Sequence, residues 1–247
     1  MVKKIFVIIL VSIIFCGTVK AEAYYENENG VILTKPEYDF IVDFYNENYP
    51  SIITVEEYNT LKDNNIFGQE IRRVSTDDKY TNPSVGLLSG SGEFHETSYK
   101  RLELGCACGD TCLIRATLVW KKWPSARSYD LFGGMQVGST APSKYYSHMF
   151  VNGDSRAPVE IINNSMGVSA THRLPNDTKL NSLAFDLSFV VAKRGKVSAT
   201  YQHAKKNITL VNTRRFTFNY NGYGNVYLFE QGIRPYYDQM SGLDLDL

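Results

Sequence analysis

The sequence predicts a mainly β protein, an antiparallel β-sandwich preceded by a short N-terminal helical hairpin. Apolar residues alternate with period two through the C-terminal part, from about Thr97 onward. Turn signals interrupt these runs at roughly ten-residue spacing. Helical spacing is confined to the stretch before residue 75. Composition agrees, because 17 tyrosines and 13 phenylalanines among many Asn, Ser, Thr and Gly residues favour strands joined by turns. The tyrosines read as decorating a sheet, ring half buried and hydroxyl wet.

The first element, residues 1–23, reads as a secretory signal peptide. Lys3 and Lys4 precede an unbroken apolar run from Ile5 to Cys16, followed by small residues. The run is too short for a membrane anchor, which needs about 20 residues. Ala21-Glu22-Ala23 has the form read by a signal peptidase, so cleavage is expected after Ala23, with the bond after Ala21 as the second choice. Phe15 before Cys16 is a poor fit to lipoprotein processing. The expectation is a secreted protein with no integral membrane segment after processing, free or associated with a cell wall. Of 26 basic and 26 acidic residues, removal of Lys3, Lys4, Lys20 and Glu22 leaves a net charge of about −2. A nearly neutral chain without a basic run is not built to collect nucleic acid.

Residues 24–74 read as the helical segment. Thr34-Lys35-Pro36-Glu37 has capping-box form, with proline suited to the first turn. Tyr38, Ile41, Val42 and Tyr45 follow at helical spacing. Twenty residues later, Thr54-Val55-Glu56-Glu57 repeats the box before Tyr58 and Leu61, and Pro50 separates the two. Two helices this short cannot bury a core alone. Residues 75–96, polar and rich in Gly and Ser, read as a linker or surface loop.

Residues 97–247 read as the β-sandwich domain. Ile114 to Trp120, Leu183 to Val191 and Val197 to His203 alternate cleanly, as do the shorter runs Phe216 to Tyr220 and Val226 to Leu228. Turns are expected at Lys193-Arg194-Gly195-Lys196 and at Asn221-Gly222-Tyr223-Gly224. No helix-length pattern lies between the strands, which argues against a parallel α/β sheet.

Trp123-Pro124, Arg127-Ser128-Tyr129-Asp130, Tyr201-Gln202-His203-Ala204 and Tyr236-Tyr237-Asp238-Gln239-Met240-Ser241-Gly242 resemble an uncharacterised group of secreted proteins of low-GC Gram-positive bacteria. The repeated Leu/Ile-Thr-x-x-Glu-Tyr pattern is similar to that group's helical N-terminal segment. The resemblance covers most of the mature chain and implies an exported Gram-positive protein; it brings no activity, ligand or site residue with it.

Three cysteines remain after cleavage, in Gly105-Cys106-Ala107-Cys108-Gly109-Asp110-Thr111-Cys112. Gly109-Asp110 marks a hairpin tip. A three-residue loop sets Cys108 opposite Cys112, and a five-residue loop sets Cys106 opposite Cys112. Either pair falls within disulfide range, and an exported chain permits oxidation. Free thiols are one alternative. Zinc held by Cys106, Cys108, Cys112 and a histidine is another, against which stands a spacing unlike the usual two-residue knuckle.

No catalytic motif, phosphate loop or dinucleotide fingerprint occurs, and no cofactor is expected. His203 and His148 sit on alternating apolar faces and read as core histidines, whereas His172, beside a turn, reads as exposed. Arg127 and Asp130 read as a structural pair. Asp244, Asp246 and Asp154 lack the ordered spacing of a calcium loop and read as solvated carboxylates. The function expected is a non-enzymatic binding or cell-surface module for a cell-wall glycan or a surface protein. Trp123, at a strand end before Pro124, and Tyr223 are the ligand candidates, while Trp120 belongs to the core. The alternative is a secreted hydrolase or toxin with a His/Asp site.

Overall fold

The computed structural model describes residues 24–75, 100–204 other than 125, 139, 140, 166 and 177–180, and 241–247. The signal segment, the linker from residue 76, the two runs between Phe216 and Leu228, and Tyr223 lie outside the described residues. The protein is mainly β, with thirteen strands and three helices among the described residues, and every strand pair is antiparallel. The chain divides into two compact units, one ending at Gln69 and one beginning at Glu70.

The first unit contains a two-stranded ribbon, β1 (Tyr24–Glu26) with β2 (Ile32–Thr34), and the helices α1 (Lys35–Phe44), α2 (Tyr49–Ile52) and α3 (Val55–Asp63). Both capping boxes form. Thr34 Oγ1 accepts from Glu37 N, Thr54 Oγ1 accepts from Glu57 N, and each glutamate accepts from its own cap N–H at 2.8 Å. The second oxygen of each glutamate reaches further. Glu37 accepts from Tyr58 at 3.0 Å and Glu57 from Tyr49 at 2.7 Å. The twenty-residue repeat thus supplies buried residues at matching places, Leu33 with Ile53 and Ile41 with Leu61. Asn27 ties the ribbon turn to the end of α2, donating to Pro50 O and Ile53 O while accepting from Val31 N.

The second unit starts earlier than the sequence predicts. β3 (Ile71–Ser75) is already a sheet strand, paired with β4 (Lys100–Cys108). The segment assigned to helix therefore gives up its last residues, because an Ile-Arg-Arg-Val run in a sheet gains a partner that local periodicity cannot announce. A six-stranded sheet runs β3-β4-β5-β11-β7-β8, with β5 (Cys112–Trp120), β7 (Tyr145–Val151), β8 (Asp154–Arg156) and β11 (Leu183–Val191). A five-stranded sheet runs β13-β12-β6-β10-β9, with β6 (Tyr129–Gln136), β9 (Glu160–Asn164), β10 (Gly167–Arg173), β12 (Lys196–His203) and β13 (Ser241–Asp246). The expected runs in β5, β11 and β12 coincide with strands.

The two sheets share one hydrophobic cluster. Ile114, Leu187 and Phe189 enter from the six-stranded sheet, and Phe132, Ala170 and Val197 from the five-stranded one. The sheets approach tightly at Gly134, where an added Cβ would stand 2.3 Å from the Phe189 ring. No helix among the described residues is long and apolar enough to cross a membrane.

Candidate functional site

Alternation along β6, β10 and β12 turns Asp130, His172 and His203 to the same side as Phe132, Ala170 and Tyr201, the side that joins the hydrophobic cluster. Register then sets the three in one row, since Asp130 opposes His172 on β10 and His203 on β12. Asp130 is fully buried and its carboxylate is satisfied by three donors. His203 Nδ1 lies 2.7 Å from Oδ1, Ala204 N donates to the same oxygen at 3.4 Å, and Tyr201 O–H donates to Oδ2. Trp120 Nε1 in turn donates to the Tyr201 oxygen at 3.2 Å. An indole, a phenol, a carboxylate and an imidazole thus form one chain across both sheets. Lys100, 1 % exposed, stands opposite Trp120 in the β4–β5 register. Its ammonium lies 5.8 Å from the Trp120 ring centroid and 5.4 Å from that of Tyr201, within cation–π range.

His172 sits at the other end of the row, 1 % exposed, with its ring edge-on to Phe185. The turn beside it suggests exposure; its parity with Val168 and Ala170, the better signal, places it inside. Its Nε2 lies 2.9 Å from Ser147 Oγ, and the Ser147 hydroxyl donates to Asp186 O at 2.7 Å. The serine has one proton and has already given it to a carbonyl. The His172 Nε2 must therefore carry the hydrogen, and Nδ1 has no partner among the described residues. Burial, reinforced by the His148 charge, pushes the His172 imidazole down to about 3. A neutral histidine donating to a serine is the reverse of a base removing the serine's proton. Ser147 belongs to no motif, and its signal in the sequence is its parity with Met149 and Val151, which marks it as inward-facing.

Other sequence expectations distribute differently. His203 is a core histidine as expected. His148 is half buried on the opposite face and lies 3.1 Å from Ser155 Oγ through Nδ1. Asp130 does not pair with Arg127, because the register delivers it to His203 and Tyr201 instead. Asp154 and Asp246 are exposed, but Asp244 is not a solvated carboxylate. It is buried on β13 beside β12, where it accepts from the Ser198 hydroxyl and lies 3.9 Å from Lys196 Nζ. Burial raises its carboxyl to about 6 against the pull of those two partners. Trp120 is buried as expected. Trp123 is half buried against the hydrophobic cluster, with the Arg127 guanidinium 5.9 Å from its ring centroid.

The cysteines lie at the tip of the β4–β5 hairpin. The three-residue loop forms, Cys108 opposes Cys112, and the two are bridged; Cys106 is a buried free thiol. Two of the three sulfurs a zinc site would use are thus bonded to each other. Among the described residues, no group of three His, Cys, Asp or Glu side chains is placed to hold a metal ion.

No family model, curated protein or solved structure matches this chain.

Proposed function

We propose that the chain is an exported protein, cut after Ala23, whose two sheets form a β-sandwich behind an N-terminal helical hairpin. It acts as a non-enzymatic binding module for a cell-wall glycan or a surface protein. The observation that carries this reading is the Trp123–Arg127 pair on the segment between β5 and β6. An indole face beside a guanidinium offers a stacking surface next to a fork of donors, the combination that suits a sugar ring and its hydroxyls. Tyr223 is the second contact of the proposal. Cell-wall and glycan pull-downs test the reading. Trp123→Ala should lose retention at a stability cost of about 1 kcal/mol, whereas Trp120→Ala should cost about 3–5 kcal/mol. Retention unchanged in a folded Trp123→Ala protein would reject Trp123 as a ligand contact.

The alternative is a secreted hydrolase, and one observation favours keeping it. Asp130 holds His203 through Nδ1, the way a carboxylate orients a general base. Hydrolysis of any wall or glycan substrate, abolished in a folded His203→Gln protein, would establish that reading instead.

A further inference from the structure

The three cysteines are placed unequally. Cys108 is partly exposed, while Cys112 and Cys106 are fully buried. Nine consecutive register pairs join β4 to β5 and end on Cys108 with Cys112, whose Cα atoms lie 4.1 Å apart. The ladder alone therefore holds the two sulfurs face to face. The bridge closes a loop of only three residues, so it constrains the unfolded chain little. Lys193 Nζ, on the β11–β12 turn, donates to Gly109 O at 3.3 Å and brings a cation to the same loop. Cys106, two residues along the same strand face, is kept out of the chemistry. Burial pushes its thiol up, and the charge and hydrogen bond of Arg72 oppose this only in part.

We propose that Cys108–Cys112 is a reversible thiol–disulfide exchange site for low-mass thiols, with Cys108 as the attacked sulfur. The incoming thiolate forms a bond to Cys108 Sγ as the Cys108–Cys112 bond breaks. Cys112 leaves with the electron pair and takes the proton that the incoming thiol released. A second thiol then attacks the mixed disulfide, giving the Cys108/Cys112 dithiol and the oxidised form of the small thiol; otherwise Cys112 attacks back and restores the bridge. Two thiols are consumed for each bridge opened. The ladder keeps both cysteines in register throughout, so closing needs no refolding.

The test treats the mature protein with reduced glutathione under native conditions, followed by acid quench, alkylation and peptide mapping. The expected result is an alkylated Cys108/Cys112 pair in protein whose near-UV circular dichroism remains native. A bridge that opens only at urea concentrations that unfold the chain would overturn the proposal. In a second arm, Cys112→Ser protein meets oxidised glutathione and should gain the mass of one glutathione on Cys108 and none on Cys106. Equal labelling of Cys106 would also overturn it. Should Cys112→Ser fail to fold, Cys106→Ala replaces it, and its native-state exchange should match that of the unaltered protein.

Discussion

The helical unit and the β unit both give partners to carboxylates, half-buried Glu37 and buried Glu57 in the first, buried Asp130 and Asp186 in the second, but over very different chain distances. In the first unit Glu37 and Glu57 cap helices whose first turns contain them, three residues from their threonines, and even their tyrosine partners lie only 21 and 8 residues away. In the second unit Asp130 depends on Tyr201 and His203, 71 and 73 residues away, and Asp186 on Arg115, 71 away. Local partners form with the helix itself, so each can be lost at the cost of one cap. Distant partners exist only once two sheets have closed, so the loss of one strands several buried groups together.

The sharpest way to break this contrast is Asp130→Ala. It removes the buried carboxylate that Tyr201, His203 and Ala204 N share and should cost about 3–5 kcal/mol in urea unfolding. A cost below that of a helix cap would mean that the Asp130 chain does not hold the sheets. Next in size is Gly134→Ala, which asks whether the close approach of the sheets is obligatory. The new methyl would meet the Phe189 ring, and overpacking of this kind costs about 1–3 kcal/mol. A neutral result would show that Phe189 has room to move.

Acid probes the same difference from the side of charge. The His172 imidazole sits at about 3 when folded against 6.5 unfolded, so the unfolded chain binds the proton more readily. Stability from this group is complete above pH 6.5 and is lost as pH falls toward 3. Asp244, raised to about 6 from 3.8, works in the opposite sense. Its folded form binds the proton more readily, so stability is gained as pH falls through 6 toward 3.8. Urea midpoints followed from pH 8 to 3 should therefore lose part of their acid sensitivity in His172→Phe and lose the opposing gain in Asp244→Asn. Identical pH profiles for all three proteins would contradict both assignments. The smallest effect belongs to the helical unit. Thr34→Ala or Thr54→Ala removes one cap acceptor and should cost about 1 kcal/mol, read as reduced helicity near the altered end. A cost matching that of Asp130→Ala would erase the contrast.

Legibility followed the same division. The capping boxes could be read from four-residue words, and the β5, β11 and β12 strands from parity alone. The loop that pairs Cys108 with Cys112 was one of two turn lengths the sequence allowed, and the ladder selected it. At His172 the neighbouring turn is a louder local signal than parity with Val168 and Ala170, yet register puts the residue inside. Arg127 is the near charge to Asp130 in the chain, but register brings His203 to it from 73 residues away. Nothing local to the C-terminal position of Asp244 signals that β13 pairs with β12.

By itself the sequence determined the period of β5, β11 and β12, the starts of α1 and α3, the β-rich composition and the hairpin that carries the cysteines, whereas α2 forms across Pro50, where the sequence predicts only a break. Each of these depends on residues within one or two turns of chain, where backbone hydrogen bonding and side-chain spacing act directly. Only the tertiary structure decided that His172, Asp130 and His203 share one row, and that Trp120 and Tyr201 extend it between the sheets. Only it decided that Ser147 spends its proton on a carbonyl. Those outcomes depend on strand order and register, which are fixed when apolar faces from distant segments exclude water together. No local pattern encodes which strand will be the neighbour.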